Sequence, residues 1–104
     1  MKTTIIPEEK NNYTYILRCR DGSFYCGWTN DLARRLAAHN AGTGAKYTRS
    51  RGPLELAWYH VSETKEAAMS LEARIKRLPR SKKERLVSGS ISISELFPPA
   101  EKDE

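Results

Sequence analysis

From Tyr13 to Arg20 the chain alternates in polarity and is rich in aromatic and β-branched residues, which favours a strand. Ser23 to Thr29 reads as the return strand, and Asp21-Gly22 between them supplies turn chemistry, because glycine accepts a positive φ at no steric cost. The period then changes. Leu32, Leu36 and His39 share one face by the i, i+4, i+7 rule, so a helix is expected from an Asn30 or Asp31 cap to about Ala41, ended by Gly42. Ala45 to Ser50 predicts a short helical turn carrying Lys46, Tyr47 and Arg49, broken by Arg51-Gly52-Pro53. Leu54 to Val61 reads as a third strand with Leu54, Leu56, Trp58 and His60 on one face.

Ser62 or Thr64 caps a longer helix through Arg77, whose apolar stripe is Ala67, Ala68, Leu71, Ile75 and Leu78, and Pro79 stops it. Ser81-Lys82-Lys83-Glu84 has the form of a capping box and predicts a short final helix to about Ser88, ended by Gly89. Ser90 to Leu96 is expected to be extended. Met1 to Asn12 reads as a loose N-terminal tail and residues 91–104 as a C-terminal tail, disordered at Phe97-Pro98-Pro99 and beyond. The order predicts one α+β domain over residues 13–90: an antiparallel hairpin plus a third strand, packed against helices.

Composition narrows the class. A length of 104 residues, 38% hydrophobic and 30% charged, suits one domain with a modest core. No stretch approaches the ~20 apolar residues of a membrane span, and no long apolar run precedes a cleavage site, so the expected location is the cytoplasm. Cys19 and Cys26 form no CxxC pair and cannot build a zinc site of the usual kind. A bridge between the hairpin strands is conceivable, but a reducing compartment favours buried free thiols.

Charge points to a partner. The 18 Lys+Arg outnumber 13 Asp+Glu, leaving +5. Arg74, Lys76, Arg77, Arg80, Lys82, Lys83 and Arg85 lie within twelve positions, opposed only by Glu84, and Lys46, Arg49 and Arg51 form a second cluster. A charge run is often just a solvated helix face. One so poorly neutralised favours phosphate contacts instead. No helix-turn-helix, zinc finger or stacking-platform motif is present, so nothing supports base-specific reading.

Five further residues invite chemistry. Tyr15 and Tyr25 fall at corresponding places on adjacent strands, where a tyrosine is ordinarily core or sheet surface. Arg35 and His39 are one helical turn apart and point the same way; a lone helical histidine is ordinarily a surface group. Glu72 lies at the edge of the longer helix's apolar stripe, where pairing with Lys76 at i+4 is the default.

Taken in order, these motifs resemble the GIY-YIG nuclease domain, in its small stand-alone bacterial form. Tyr13-Thr14-Tyr15 stands at the first motif and Tyr25-Cys26-Gly27 at the second. Asn30-Asp31-Leu32-Ala33-Arg34-Arg35-Leu36 matches the helix carrying the family's arginine, on Arg35, and His39 matches a histidine used by some members. Gly44-Ala45-Lys46-Tyr47-Thr48-Arg49 and the helix from Glu72 to Leu78 are similar to the stand-alone group, with Glu72 at its metal-ligand glutamate. The resemblance spans roughly Tyr13 to Val87. Tyr13 replaces the glycine of the family name, and Trp28 follows Gly27 where the excision-repair incision subunit has lysine.

What the resemblance implies is hydrolysis of a DNA phosphodiester, on branched or damaged DNA in repair or recombination, with one Mg²⁺ or Mn²⁺ held by Glu72. Tyr15 would take a proton from the attacking water, directly or through an aligned water. Tyr25 would hold the phosphate, Arg35 would grip developing charge with two donors, and His39 would donate, accept or position. Lys46 and Arg49 would bind phosphate near the site. The alternative is a non-catalytic nucleic-acid-binding module with the same fold. A domain this small is expected to need a protein partner or a second copy of itself for selectivity.

Overall fold

The computed structural model describes residues 6–97. Asn12–Arg18 forms β1, and its five central side chains, Tyr13 to Leu17, are all buried. The reason is position: β1 is the middle strand of an antiparallel sheet ordered β2-β1-β3, with β2 at Phe24–Thr29 and β3 at Glu55–Ser62, and it is covered on both faces. The chain reverses where Asp21-Gly22 was expected to turn it. Gly22 takes φ +87°, and the Asp21 carboxylate accepts from both the backbone N–H and the hydroxyl of Ser23.

Alternation along β1 divides the core in two. Tyr13, Tyr15, Leu17 and Cys19 pack with Leu32 and Leu36 of α1 (Leu32–Asn40) and with Leu54 and Leu56. Ile16 points the other way and packs with Cys26, Leu71, Ile75 and Leu86, the last three from α2 (Lys65–Lys76) and α3 (Arg80–Ser88). Each fully buried aliphatic side chain here contributes roughly 1.5–3 kcal/mol. Thr14, also on the α2 side, buries its hydroxyl by donating to the Ala68 carbonyl at 2.8 Å, which ties α2 to the central strand. Both cysteines are free and buried, one in each core.

The third strand departs from a single-faced reading. A bulge sets Ile16 opposite Trp58 but Leu17 opposite Leu56, leaving Ala57 without a partner. One extra residue reverses the facing of everything beyond it. Leu54 and Leu56 therefore enter the α1 core, whereas Trp58 packs on the α2 side and stacks on His60 at 6.2 Å.

Helix starts follow capping chemistry, with one exception. Asp31 caps α1 by accepting from the Arg34 N–H, and Thr64 caps α2 by accepting from Ala67. Ser81-Lys82-Lys83-Glu84 makes no capping box. Pro79 already stands at the N-cap of α3, and Glu84 pairs with Arg80 at 2.9 Å instead of reaching back to Ser81. The capping box in fact lies at Ser92 and Glu95, where both reciprocal bonds form and start a short helix α4, Ile93–Leu96, in the stretch expected to be extended.

Ile91, Ile93, Leu96 and Phe97 pack on the α2 core. At the other end, the stretch read as a loose tail is anchored: Ile6 packs on the α1 core, Tyr13 donates to the Glu9 carbonyl at 2.6 Å, and the Asn11 N–H reaches Asn30. Of the tail expected over residues 91–104, residues 91–97 thus hold α4 and these core contacts, and residues 98–104 lie outside the described residues, as do residues 1–5. Among the described residues, no helix is long and apolar enough to cross a membrane.

Candidate nucleic-acid active site

The α1 face of the hairpin gathers the phenols. Tyr15 pairs across the sheet with Gly27, and Tyr25 with Leu17, so both rings stand on that face. Gly27 is what allows it: a Cβ there would sit 2.6 Å from the Tyr15 hydroxyl and 3.2 Å from the Tyr25 ring. Tyr15 is buried to 1% exposure and Tyr25 is half-buried.

His39 corrects the surface expectation, since it is as buried as Tyr15. It comes from the last turn of α1, one turn beyond Leu36, and the chain folds back over it through Gly42-Thr43-Gly44 into a 3₁₀ turn, Lys46–Thr48. Gly44 passes so close that a Cβ would lie 2.5 Å from Nδ1 of His39. Both ring nitrogens are bonded: Nε2 to the Tyr15 hydroxyl at 3.0 Å and Nδ1 to the Thr48 hydroxyl at 2.9 Å.

The tautomer follows from the chain of donors. The Thr48 hydroxyl gives its hydrogen to the Ala45 carbonyl at 2.9 Å. Its oxygen must then accept from Nδ1–H, so Nε2 carries the lone pair and accepts the Tyr15 hydrogen. Burial, followed by the nearby charge of Arg35, drops the His39 pKa from 6.5 to about 4, so the ring stays neutral near pH 7. Burial lifts Tyr15 to about 12, while Arg35 pulls in the opposite direction by stabilising the phenolate. Arg35 itself is held charged chiefly by Tyr15, with Tyr25 adding to it.

An aromatic stack completes this side. Tyr25 lies between His39 (centroids 5.2 Å) and Tyr47 (6.0 Å, interplanar 28°). The Arg51 guanidinium covers the outer face of Tyr47 at 4.0 Å, donates to the Tyr47 carbonyl at 2.7 Å and pairs with Asp21 at 3.4 Å. Arg51, read from the sequence as a phosphate contact, is thus engaged in holding the 3₁₀ turn against the hairpin.

Glu72 comes from the other side of the sheet. It sits on α2 beside Cys26, whose pKa rises to about 12 through burial and then the Glu72 charge, and it pairs with Lys76 at 3.0 Å as its spacing suggested. The two faces meet because β2 is an edge strand. There Lys76 and Lys83 line a cavity of about 200 Å³ together with Tyr25, Tyr47, Phe24 and Cys26. Tyr15, Tyr25, Arg35 and His39 therefore come together directly, while Glu72 lies on the α2 side beside Cys26 and Lys76 and is not among the residues lining that cavity.

The remaining cations divide by what they touch. Lys46 and Arg49 are exposed on the 3₁₀ turn beside Tyr47. Arg77 and Arg85 are exposed, and Lys82 is half-buried. Arg74 lies over Phe97, and Arg80 lies over Phe24 while pairing with Glu84. The sequence reading missed Thr48 as the second partner of His39 and Tyr47 as the cover of Tyr25. The one local signal was the pair Gly42 and Gly44, which marks a reversal tight enough to return the chain onto α1.

Residues 11–85 match the GIY-YIG catalytic domain. A UPF0213 protein of Clostridium perfringens is 54% identical over 84 residues, 81% of this chain and 89% of that protein. A UPF0213 protein of Bacillus pumilus is 52% identical over 77 residues, 74% of this chain and 79% of its relative. The solution NMR structure of the UPF0213 protein BH0048 from Bacillus halodurans is 45% identical, with a TM-score of 0.51, covering 89% of this chain and 99% of its own. The chain therefore belongs to the GIY-YIG catalytic domain family, a nuclease superfamily, within its UPF0213 group.

Proposed function

We propose that this protein is a divalent-metal-dependent endonuclease that hydrolyses DNA phosphodiesters, with branched or damaged DNA in repair or recombination as its substrate class. The observation that carries the reading is the hydrogen-bond chain Tyr15–His39–Thr48–Ala45 beside Tyr25 and Arg35.

A phenol with a pKa of about 12 is a poor base alone at neutral pH. Coupled to an accepting Nε2, it becomes a relay. The attacking water gives a proton to the Tyr15 oxygen while Tyr15 passes its own to His39, so the water oxygen bonds to phosphorus as the bond from phosphorus to the leaving sugar oxygen breaks, and His39 ends as imidazolium. From a pKa of about 4, that protonation at pH 7 costs roughly 4 kcal/mol, which the anionic phosphate must offset. Arg35 grips the equatorial charge, and Tyr25 orients the phosphate or the water. Lys46, Arg49 and Lys83 attract the backbone.

Glu72 fits a metal of hard-oxygen preference. It offers one carboxylate, about one-fifth exposed at 19%, and among the described residues no cluster of three His, Cys, Asp or Glu exists. One carboxylate with waters and substrate phosphate is how Mg²⁺ or Mn²⁺ is commonly held. When bound, the ion would polarise the phosphate and steady the leaving oxygen. Lys76, exposed and flexible, must release Glu72 for that role.

The test is cleavage of plasmid and branched DNA with and without Mg²⁺ or Mn²⁺. Tyr15→Phe should lose roughly 10²–10⁴-fold in kcat, since a positioned proton acceptor is removed. Glu72→Ala should abolish the metal-dependent cleavage. Wild-type cleavage rates in Glu72→Ala would overturn the Glu72 metal mechanism, whereas binding without cutting in every metal would overturn the nuclease reading and leave a binding module.

A further inference from the structure

A second groove opens on the far flank of α1. It holds about 370 Å³ and is lined by Lys10, Thr29, Asn30, Asp31, Arg34 and Arg35. Arg35 belongs to the catalytic group as well, so this groove runs into the site described above. Lys10 and Arg34 are exposed, and no carboxylate lies within ion-pair distance of either among the described residues. Asp31 is the only acid in the lining, and its carboxylate is turned to the helix start, where it accepts the Arg34 N–H at 3.2 Å. Three cations against one committed acid leave the groove positive.

The wall carrying Lys10 is built. The segment is pinned by the Tyr13 hydroxyl on the Glu9 carbonyl and by the Asn11 N–H on the Asn30 carbonyl, which hold it alongside the end of β2. Lys10 is therefore presented from anchored backbone.

We infer that the groove is a second phosphate subsite, which takes the backbone of the bound strand away from the scissile position, with Lys10 and Arg34 as its cations. The inference rests on the nucleic-acid reading of the preceding section and adds a direction to it. The Lys76–Lys83 cavity lies at the Phe24 end of β2, and the new groove lies at the Thr29 end. Six residues of strand separate the ends by roughly 17 Å at ~3.3 Å per residue. That span exceeds a single nucleotide step, so the two ends address different phosphates of one strand. The strand thus lies along β2, with the catalytic phenols between its outer contacts. Removing a remote phosphate contact weakens ground and transition states alike, so it should raise Kd and KM and leave kcat unchanged.

The experiment is fluorescence anisotropy with a labelled 20-bp duplex in EDTA across a salt series, paired with cleavage assays in Mg²⁺. Lys10→Gln and Arg34→Gln are compared with Arg20→Gln, an exposed charge change at the hairpin turn. Each groove variant should weaken binding roughly 5- to 20-fold and lower the log–log salt slope by about one, with kcat within about twofold of wild type. Arg20→Gln should stay within about twofold on every measure. Wild-type binding with groove variants no weaker than Arg20→Gln would overturn the subsite and leave the nuclease reading intact. No DNA binding by the wild type would overturn both.

Discussion

The two faces of the sheet bury comparable side chains for different ends. On the α2 face the core is aliphatic: Ile16, Leu71, Ile75 and Leu86 meet with Cys26, and the one buried hydroxyl, on Thr14, ties helix to strand. On the α1 face the core carries two phenols, an imidazole and a threonine hydroxyl, Tyr13, Tyr15, His39 and Thr48, each with a partner. Among the described residues no buried side-chain polar atom is left unpaired on either face. The difference is that the α1 face adds oriented donors and acceptors, at the cost of desolvating them, to a leucine core of its own formed by Leu17, Leu32, Leu36, Leu54 and Leu56.

The largest test of that division is Ile75→Ala, which empties a fully buried position on the α2 face. It should destabilise the fold by about 2–5 kcal/mol in chemical denaturation, with kcat of the folded fraction unchanged. A kcat that fell as stability fell would show the faces to be coupled.

The α1 face should instead respond to acid. His39 has its pKa depressed from 6.5 to about 4, so its contribution to stability is present above pH 6.5 and is lost as the pH falls toward 4. The unfolded chain binds the proton first, and the full loss is roughly 3 kcal/mol. Thermal melts between pH 7 and pH 4 measure it, and His39→Gln should flatten the profile.

Gly27→Ala separates geometry from stability on the same face. A Cβ at 2.6 Å from the Tyr15 hydroxyl must push both phenols aside. Cleavage should fall about 100-fold while the strand pairing measured by hydrogen exchange persists. The smallest effect is expected at Glu84→Ala, which removes an exposed ion pair with Arg80. Loss of less than about 1 kcal/mol, with unchanged catalysis, would place that pair outside both functions.

Much of this was legible in the sequence where the governing contacts are local. Asp21-Gly22 turns the hairpin, Asp31 and Thr64 cap their helices, and the period of α2 buries Ala68, Leu71 and Ile75, although Ala67 of the expected stripe stays exposed. The misread elements each turned on a choice between local options. Ser81 and Ser92 both precede a glutamate at the capping spacing, and Pro79 with Arg80 decided against the first. His39 reads as a surface residue until Thr48 and Tyr15 are brought to its two nitrogens.

The sequence by itself determined the order of elements, the turn and cap residues and the set of groups able to handle a phosphate, because periodicity and backbone preference act over a few neighbours. Only the tertiary structure decided which face each group serves. A bulge at Ala57 sends Leu56 and Trp58 to opposite cores, the return over Gly44 assigns the His39 tautomer, and the packing of α2 on β2 sets Glu72 beside Cys26 on the face away from the phenols. Those outcomes depend on contacts between distant segments, which no local pattern encodes.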